Sequence, residues 1–111
     1  MAEIVLYHNP RCSTSRQALE LLRERGVEPR VVEYLKTGWD RATLERLARG
    51  AGGATALLRA KEPGAADLKG ATDAALIAAM MADPILVERP VAESDRGVRV
   101  GRPPERVLEI L

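Results

Sequence analysis

The chain has 111 residues, 46% hydrophobic and 30% charged, with a formal charge of +1 and only 3% aromatic. That balance describes a single folded α/β domain, 1–111, with its core built from Leu, Val, Ile and Ala. It argues against a nucleic-acid partner, which calls for a basic face or stacking aromatics, and against a membrane span, which needs ~18 consecutive apolar residues.

Residues 3–7, EIVLY, form a short apolar run that predicts a buried strand. A polar turn over 8–13 follows, and Thr14 is placed to cap a helix, with Gln17 three positions later as its capping-box partner. Ala18, Leu19 and Leu22 recur at helical spacing, and Gly26 stops the helix. Residues 30–35, RVVEYL, read as a second strand. Strand, helix and strand joined in this way form a βαβ unit with a parallel pair.

Asp40 opens the next predicted helix, with Leu44, Leu47 and Ala48 on one face and Gly50 at its end. A short helix over 55–60, a loop over 61–70, and a helix capped by Thr72-Asp73 and ended by Asp83-Pro84 complete a helical middle. RPVAE and GVRVG then read as two strands around the turn at 94–97. Pro103-Pro104 starts a last helix with Val107, Leu108 and Leu111 on one face. The order βαβ, helices, ββα by itself licenses one α/β domain, and it matches a thioredoxin-like fold, a mixed four-stranded sheet with a helical insertion over about 40–82.

The segment YHNPRCSTSR, residues 7–16, holds both the single cysteine and the single histidine. Cys12 stands in a polar strand-to-helix turn, just ahead of backbone N–H groups that attract anions. A thiolate is an anion, so the position lowers the pKa of a cysteine, and His8 and Arg16 are near enough in sequence to add positive charge. The bland alternatives are a buried, inert thiol and a histidine that merely shapes the turn. The residues run Cys12-Ser13-Thr14-Ser15, so no resolving thiol follows, and an oxidised adduct on Cys12 needs an external thiol to clear it. One Cys and one His do not complete a zinc site, so no metal is expected. A lone thiol and an N-terminus without a basic and apolar leader suit a reducing cytoplasm.

YHNPRCSTSR, ALLRAKEP, DPILVERPV and RVGRPPERVLEIL, in that order, resemble the glutaredoxin-linked arsenate reductase (ArsC) family across nearly the whole chain, most closely its short YfgD-like branch. The resemblance implies that Cys12 is the catalytic nucleophile, with His8, Ser15 and Arg16 stabilising its thiolate. It also implies that Arg59, Arg89 and Arg102 bind an oxyanion and that Pro90 is a structural cis-proline. Forked guanidinium donors suit a tetrahedral dianion better than lysine does. The implied activity is reduction of arsenate to arsenite, with glutathione as co-substrate, glutaredoxin as partner and no tightly bound cofactor. Two alternatives share the fold. One is a regulator of the Spx type that binds RNA polymerase, although Ser15 stands where its usual second cysteine would be. The other is a thiol enzyme acting on a different oxyanion or on a glutathione adduct.

Overall fold

Val5-Leu6-Tyr7 is the β1 strand (Val5–Tyr7) of a four-stranded sheet, and all three of its residues are buried. The computed structural model describes residues 3–111, which divide into two compact units. The first comprises the chain up to Thr37 together with Arg89–Leu111; the second is Gly38–Glu88.

In the first unit, β1 leads through a turn into α1 (Ser13–Glu24) and then β2 (Arg30–Val32). After the second unit the chain returns as β3 (Val91–Ser94) and β4 (Gly97–Val100), followed by a 3₁₀ helix over Pro104–Ile110. The sheet order is β2-β1-β3-β4. β1 and β2 run parallel, with Leu6 opposite Val31; β3 is antiparallel to β1, with Leu6 opposite Ala92, and also to β4. The sheet is thus mixed and four-stranded, as the sequence predicts. Strand alternation sends Ile4 and Leu6 to one face, where they pack with Ala92, with Ala18 and Leu22 of α1, and with Val107 and Ile110 of the 3₁₀ helix. Leu22 has no exposed surface. Burying one such side chain stabilises the fold by about 1.5–3 kcal/mol.

Three sequence expectations shift within this unit. The helix predicted to start at a Thr14 cap starts two residues earlier: Cys12 has extended backbone, and its carbonyl accepts the N–H of Arg16 at 3.0 Å, which makes Cys12 the N-cap. The strand predicted over 30–35 ends at Val32, because Glu33 turns the chain into the short α2 helix (Tyr34–Thr37), its carbonyl accepting from Lys36 and Thr37. This swings Tyr34 into full burial, which an apolar run alone does not distinguish from a strand residue. The last helix is 3₁₀, so its buried residues fall at the three-residue interval Val107 and Ile110, leaving Leu108 and Leu111 half-buried.

The second unit holds the only tryptophan, Trp39, and two α-helices, α3 (Arg41–Ala51) and α4 (Asp73–Ala82). Asp40 caps α3 by accepting the N–H of Thr43 at 2.8 Å, and Thr72 caps α4 by accepting that of Ala75 at 3.2 Å. α3 passes the predicted stop at Gly50 and ends at Gly52, whose positive φ of 94° supplies the left-handed cap. The predicted short helix contracts to a 3₁₀ turn over Ala54–Leu57, and the predicted loop contains another over Pro63–Leu68. Leu44, Leu47, Leu57, Leu76, Met80 and Leu86 are buried here. Leu58 bridges Val87, and flanking bonds from Arg59 N–H to Leu86 and from Glu88 N–H to Leu57 lay the two segments side by side. Among the described residues no helix is long and apolar enough to cross a membrane.

Candidate active site

The turn from β1 into α1 is folded by Asn9. Its side-chain Oδ1 accepts the N–H of Arg11 at 3.0 Å, its carbonyl accepts that of Cys12 at 3.0 Å, and its own N–H donates to Ser15 Oγ at 3.1 Å. Asn9 is itself buried. Reading the sequence did not single it out, although Asn-Pro is a turn signal. The result is that Cys12, half-buried, occupies the N-cap position of α1.

Burial works against a charge on that sulfur. The backbone N–H of Ser15, the Arg89 side chain, the N–H of Thr14 and the charge of Arg102 outweigh it, and the thiol pKa falls below its ordinary value. The sulfur makes no cap hydrogen bond of full geometry, so the first-turn amides act on it as nearby dipoles. Arg102 contacts the sulfur directly: its Nη2 donates to Cys12 Sγ at 3.4 Å while its Nε donates to the Arg89 carbonyl at 3.0 Å. Two nitrogens of Arg89, Nε and Nη1, are buried and have no hydrogen-bond partner. Buried donors of this kind are uncommon, and they are suited to an acceptor brought by a ligand. The Arg89–Pro90 bond is cis, and so is Arg102–Pro103. All these residues belong to the first unit.

The other residues singled out from the sequence divide differently. His8 is buried, 5% exposed, and its Nδ1 lies 2.6 Å from Ser15 Oγ, itself fully buried. Burial lowers the His8 pKa, the Arg23 and Arg16 charges add to that, and the opposing pull of Glu33 does not reverse it. At neutral pH His8 is therefore uncharged and contributes a hydrogen bond to Ser15 rather than the positive charge its sequence position suggested. Arg16 is exposed and donates from Nη1 to the Pro10 carbonyl at 2.9 Å, bracing the turn. Arg59 lies in the second unit, where Nε donates to Glu62 at 3.1 Å and Nη1 to Glu88 at 3.0 Å. Burial opposes its charge, but these two carboxylates prevail and raise its pKa. Among the described residues no group of three or more His, Cys, Asp or Glu could hold a metal ion.

A thiol of lowered pKa on the N-cap residue of a helix, beside two guanidinium groups, is suited to nucleophilic chemistry on an anion. The chain is similar over nearly its whole length to known proteins. The chain is 48% identical over 115 residues to the uncharacterized protein YfgD of Escherichia coli (strain K12), covering 98% of this chain and 97% of that one. It is 44% identical over 117 residues to a protein of the same organism named arsenate reductase, covering all of this chain and 82% of the other. The solved structure of an arsenate reductase from Vibrio cholerae superposes with a TM-score of 0.91 at 42% identity, covering 99% of this chain and 98% of that one. The profile of the ArsC family matches residues 7–110, nearly the full length, and with this agreement the chain belongs to the ArsC family.

Proposed function

We propose that this protein is an arsenate reductase whose Cys12 thiolate attacks arsenic(V). The observation that carries the proposal is the thiol itself: the sulfur of the N-cap residue, of lowered pKa, with Arg102 bonded to it and Arg89 beside it bearing two unpartnered buried donors. The relatives named arsenate reductase supply the substrate class. In the proposed cycle the thiolate displaces one arsenate oxygen, which leaves as water after protonation, and a Cys12–arsenic bond forms. Attack by a second thiol then transfers two electrons to arsenic, releases arsenite and leaves the two sulfurs joined as a disulfide. The chain contains a single cysteine, so that second thiol comes from outside, and glutathione followed by a glutaredoxin is the pair we assign to it. This chemistry needs a reducing cytoplasm. Arg89 and Arg102 serve the oxyanion as forked donors. Ser15 serves the thiolate through its amide, and His8 and Arg16 hold the turn that aims it. Arg59 is proposed as a third oxyanion-binding residue on the family resemblance.

The test is a coupled assay of arsenate, glutathione, glutaredoxin, glutathione reductase and NADPH. Arsenate-dependent NADPH oxidation by the wild type, abolished in Cys12→Ser and weakened in Arg59→Ala, is the expected outcome. A folded wild type without arsenate-dependent turnover, or a Cys12→Ser variant that keeps it, overturns the proposal. Arg59→Ala with unchanged KM and kcat removes Arg59 from the site and leaves it a partner of Glu62 and Glu88 only.

A further inference from the structure

Gly101 directly follows β4 and stands immediately before Arg102. It is buried, and its N–H donates to the Pro90 carbonyl at 2.8 Å, extending the pairing of β3 and β4 one step beyond Val91 and Val100. A methyl group on its Cα would lie 2.8 Å from Cγ of Pro90, 3.3 Å from Cδ of Pro90 and 2.9 Å from Cγ1 of Val107. Carbon atoms in contact normally stand about 3.5–4.0 Å apart. Neither neighbour can give way easily. The Pro90 ring is closed onto its own backbone, and Val107 is fully buried with a stiff β-branched side chain.

The two segments that meet at this contact carry the two arginines at Cys12. Arg89 directly precedes Pro90, and Arg102 directly follows Gly101. Besides the Gly101 bond, they are tied by Arg102 Nε donating to the Arg89 carbonyl at 3.0 Å. A shift of several tenths of an ångström here changes where both guanidinium groups sit relative to the sulfur, which one of them meets at 3.4 Å.

We propose that Gly101 is a positioning residue for the oxyanion site: its bare Cα lets the segments bearing Arg89 and Arg102 close far enough for both side chains to reach Cys12. This rests on Cys12 being the nucleophile, but not on which oxyanion it attacks. Any residue larger than glycine opens the pair and separates charge from thiolate without removing either arginine.

The experiment measures the rate of Cys12 alkylation against pH, and KM for arsenate, in wild type, Gly101→Ala and Val98→Ala. Val98, buried on β4 just ahead of Gly101, controls for general loss of packing. Gly101→Ala is expected to raise the alkylation midpoint by about one pH unit, a tenfold loss of thiolate at a pH below it, and to raise KM. Val98→Ala is expected to lose thermal stability and keep the wild-type midpoint. If Gly101→Ala does not fold, Gly101→Ala/Val107→Ala removes one of the two contacts while the Pro90 contact remains, and the same upward shift is expected. A folded Gly101 variant with wild-type midpoint and KM overturns the proposal, as does an equal shift in Val98→Ala. A wild-type midpoint at the ordinary thiol value of ~8.5 overturns instead the reading of Cys12 on which it rests.

Discussion

Replacing Arg102 by Met leaves a side chain of similar length and removes its charge and its hydrogen bonds to Cys12 Sγ and the Arg89 carbonyl. In the folded protein Nη2 donates to Cys12 Sγ at 3.4 Å. A hydrogen bond to a charged group is worth about 1.5–3 kcal/mol, and the partly exposed setting screens it, so the low end of ~1.5 kcal/mol applies. Because one pKa unit corresponds to about 1.4 kcal/mol, the Cys12 midpoint should rise by about one pH unit. The sign follows from the acid. The folded thiol sits below its ordinary value, so the thiolate exists from that lowered midpoint upward. Losing Arg102 moves the midpoint toward ~8.5. Iodoacetamide alkylation at a pH below the wild-type midpoint then slows about tenfold, while the rates at alkaline pH converge on the wild type. Arg102→Lys should recover only part of this, since one ammonium group cannot serve both the sulfur and the Arg89 carbonyl as the guanidinium does. Circular dichroism confirms that the variants fold. An Arg102→Met variant that folds and keeps the wild-type alkylation midpoint refutes the reasoning, since the sulfur would then owe its acidity to the helix amides and Arg89.

Ser15→Ala should lower stability by about 2–6 kcal/mol in urea denaturation, because it strands two buried groups, His8 Nδ1 and the Asn9 N–H, at about 1–3 kcal/mol each; a loss below ~0.5 kcal/mol would mean that water or rearrangement replaces both bonds. Stability should also fall as the pH drops below ~6.5, the ordinary histidine value, because folded His8 resists a proton that the unfolded chain takes up. His8 is the only histidine, so His8→Gln should flatten that slope in denaturation curves taken at neutral and mildly acid pH, and an unchanged slope would locate it elsewhere.

The elements with a local cause were legible in the sequence. Asp40 and Thr72 carry side-chain oxygens that cap the helices they precede, and the parallel pairing of β1 and β2 follows from the length of the crossover between them. The expectations that moved depend on longer-range or finer effects. Tyr34 sits in an apolar run that suits a strand, but its full burial is reached through a helical turn after Glu33. Thr14 has the right chemistry for a cap, yet the Asn9 bonds start the helix two residues sooner and put Cys12 at the N-cap position. The prominence of Cys12 was visible from its type and its turn. The neutrality of His8 was not, because its charge depends on burial by residues distant in the chain. The role of Asn9 and the tight seat of Gly101 against Pro90 are likewise three-dimensional facts about residues that look ordinary in a list of letters.

The scarcity of aromatic residues divides the optical signature of the molecule. Phenylalanine is absent, both tyrosines, Tyr7 and Tyr34, lie in the first unit, and Trp39 is in the second. All three are buried, Trp39 at 9% exposure. Excitation at the red edge of the absorption band therefore reports on the helical unit alone, and tyrosine signals in the near ultraviolet report on the sheet unit that carries Cys12. Coincident melting of the two chromophores would make the chain one cooperative block, and staggered melting would make it two, with no label added to a protein whose single thiol is the very group a label would consume.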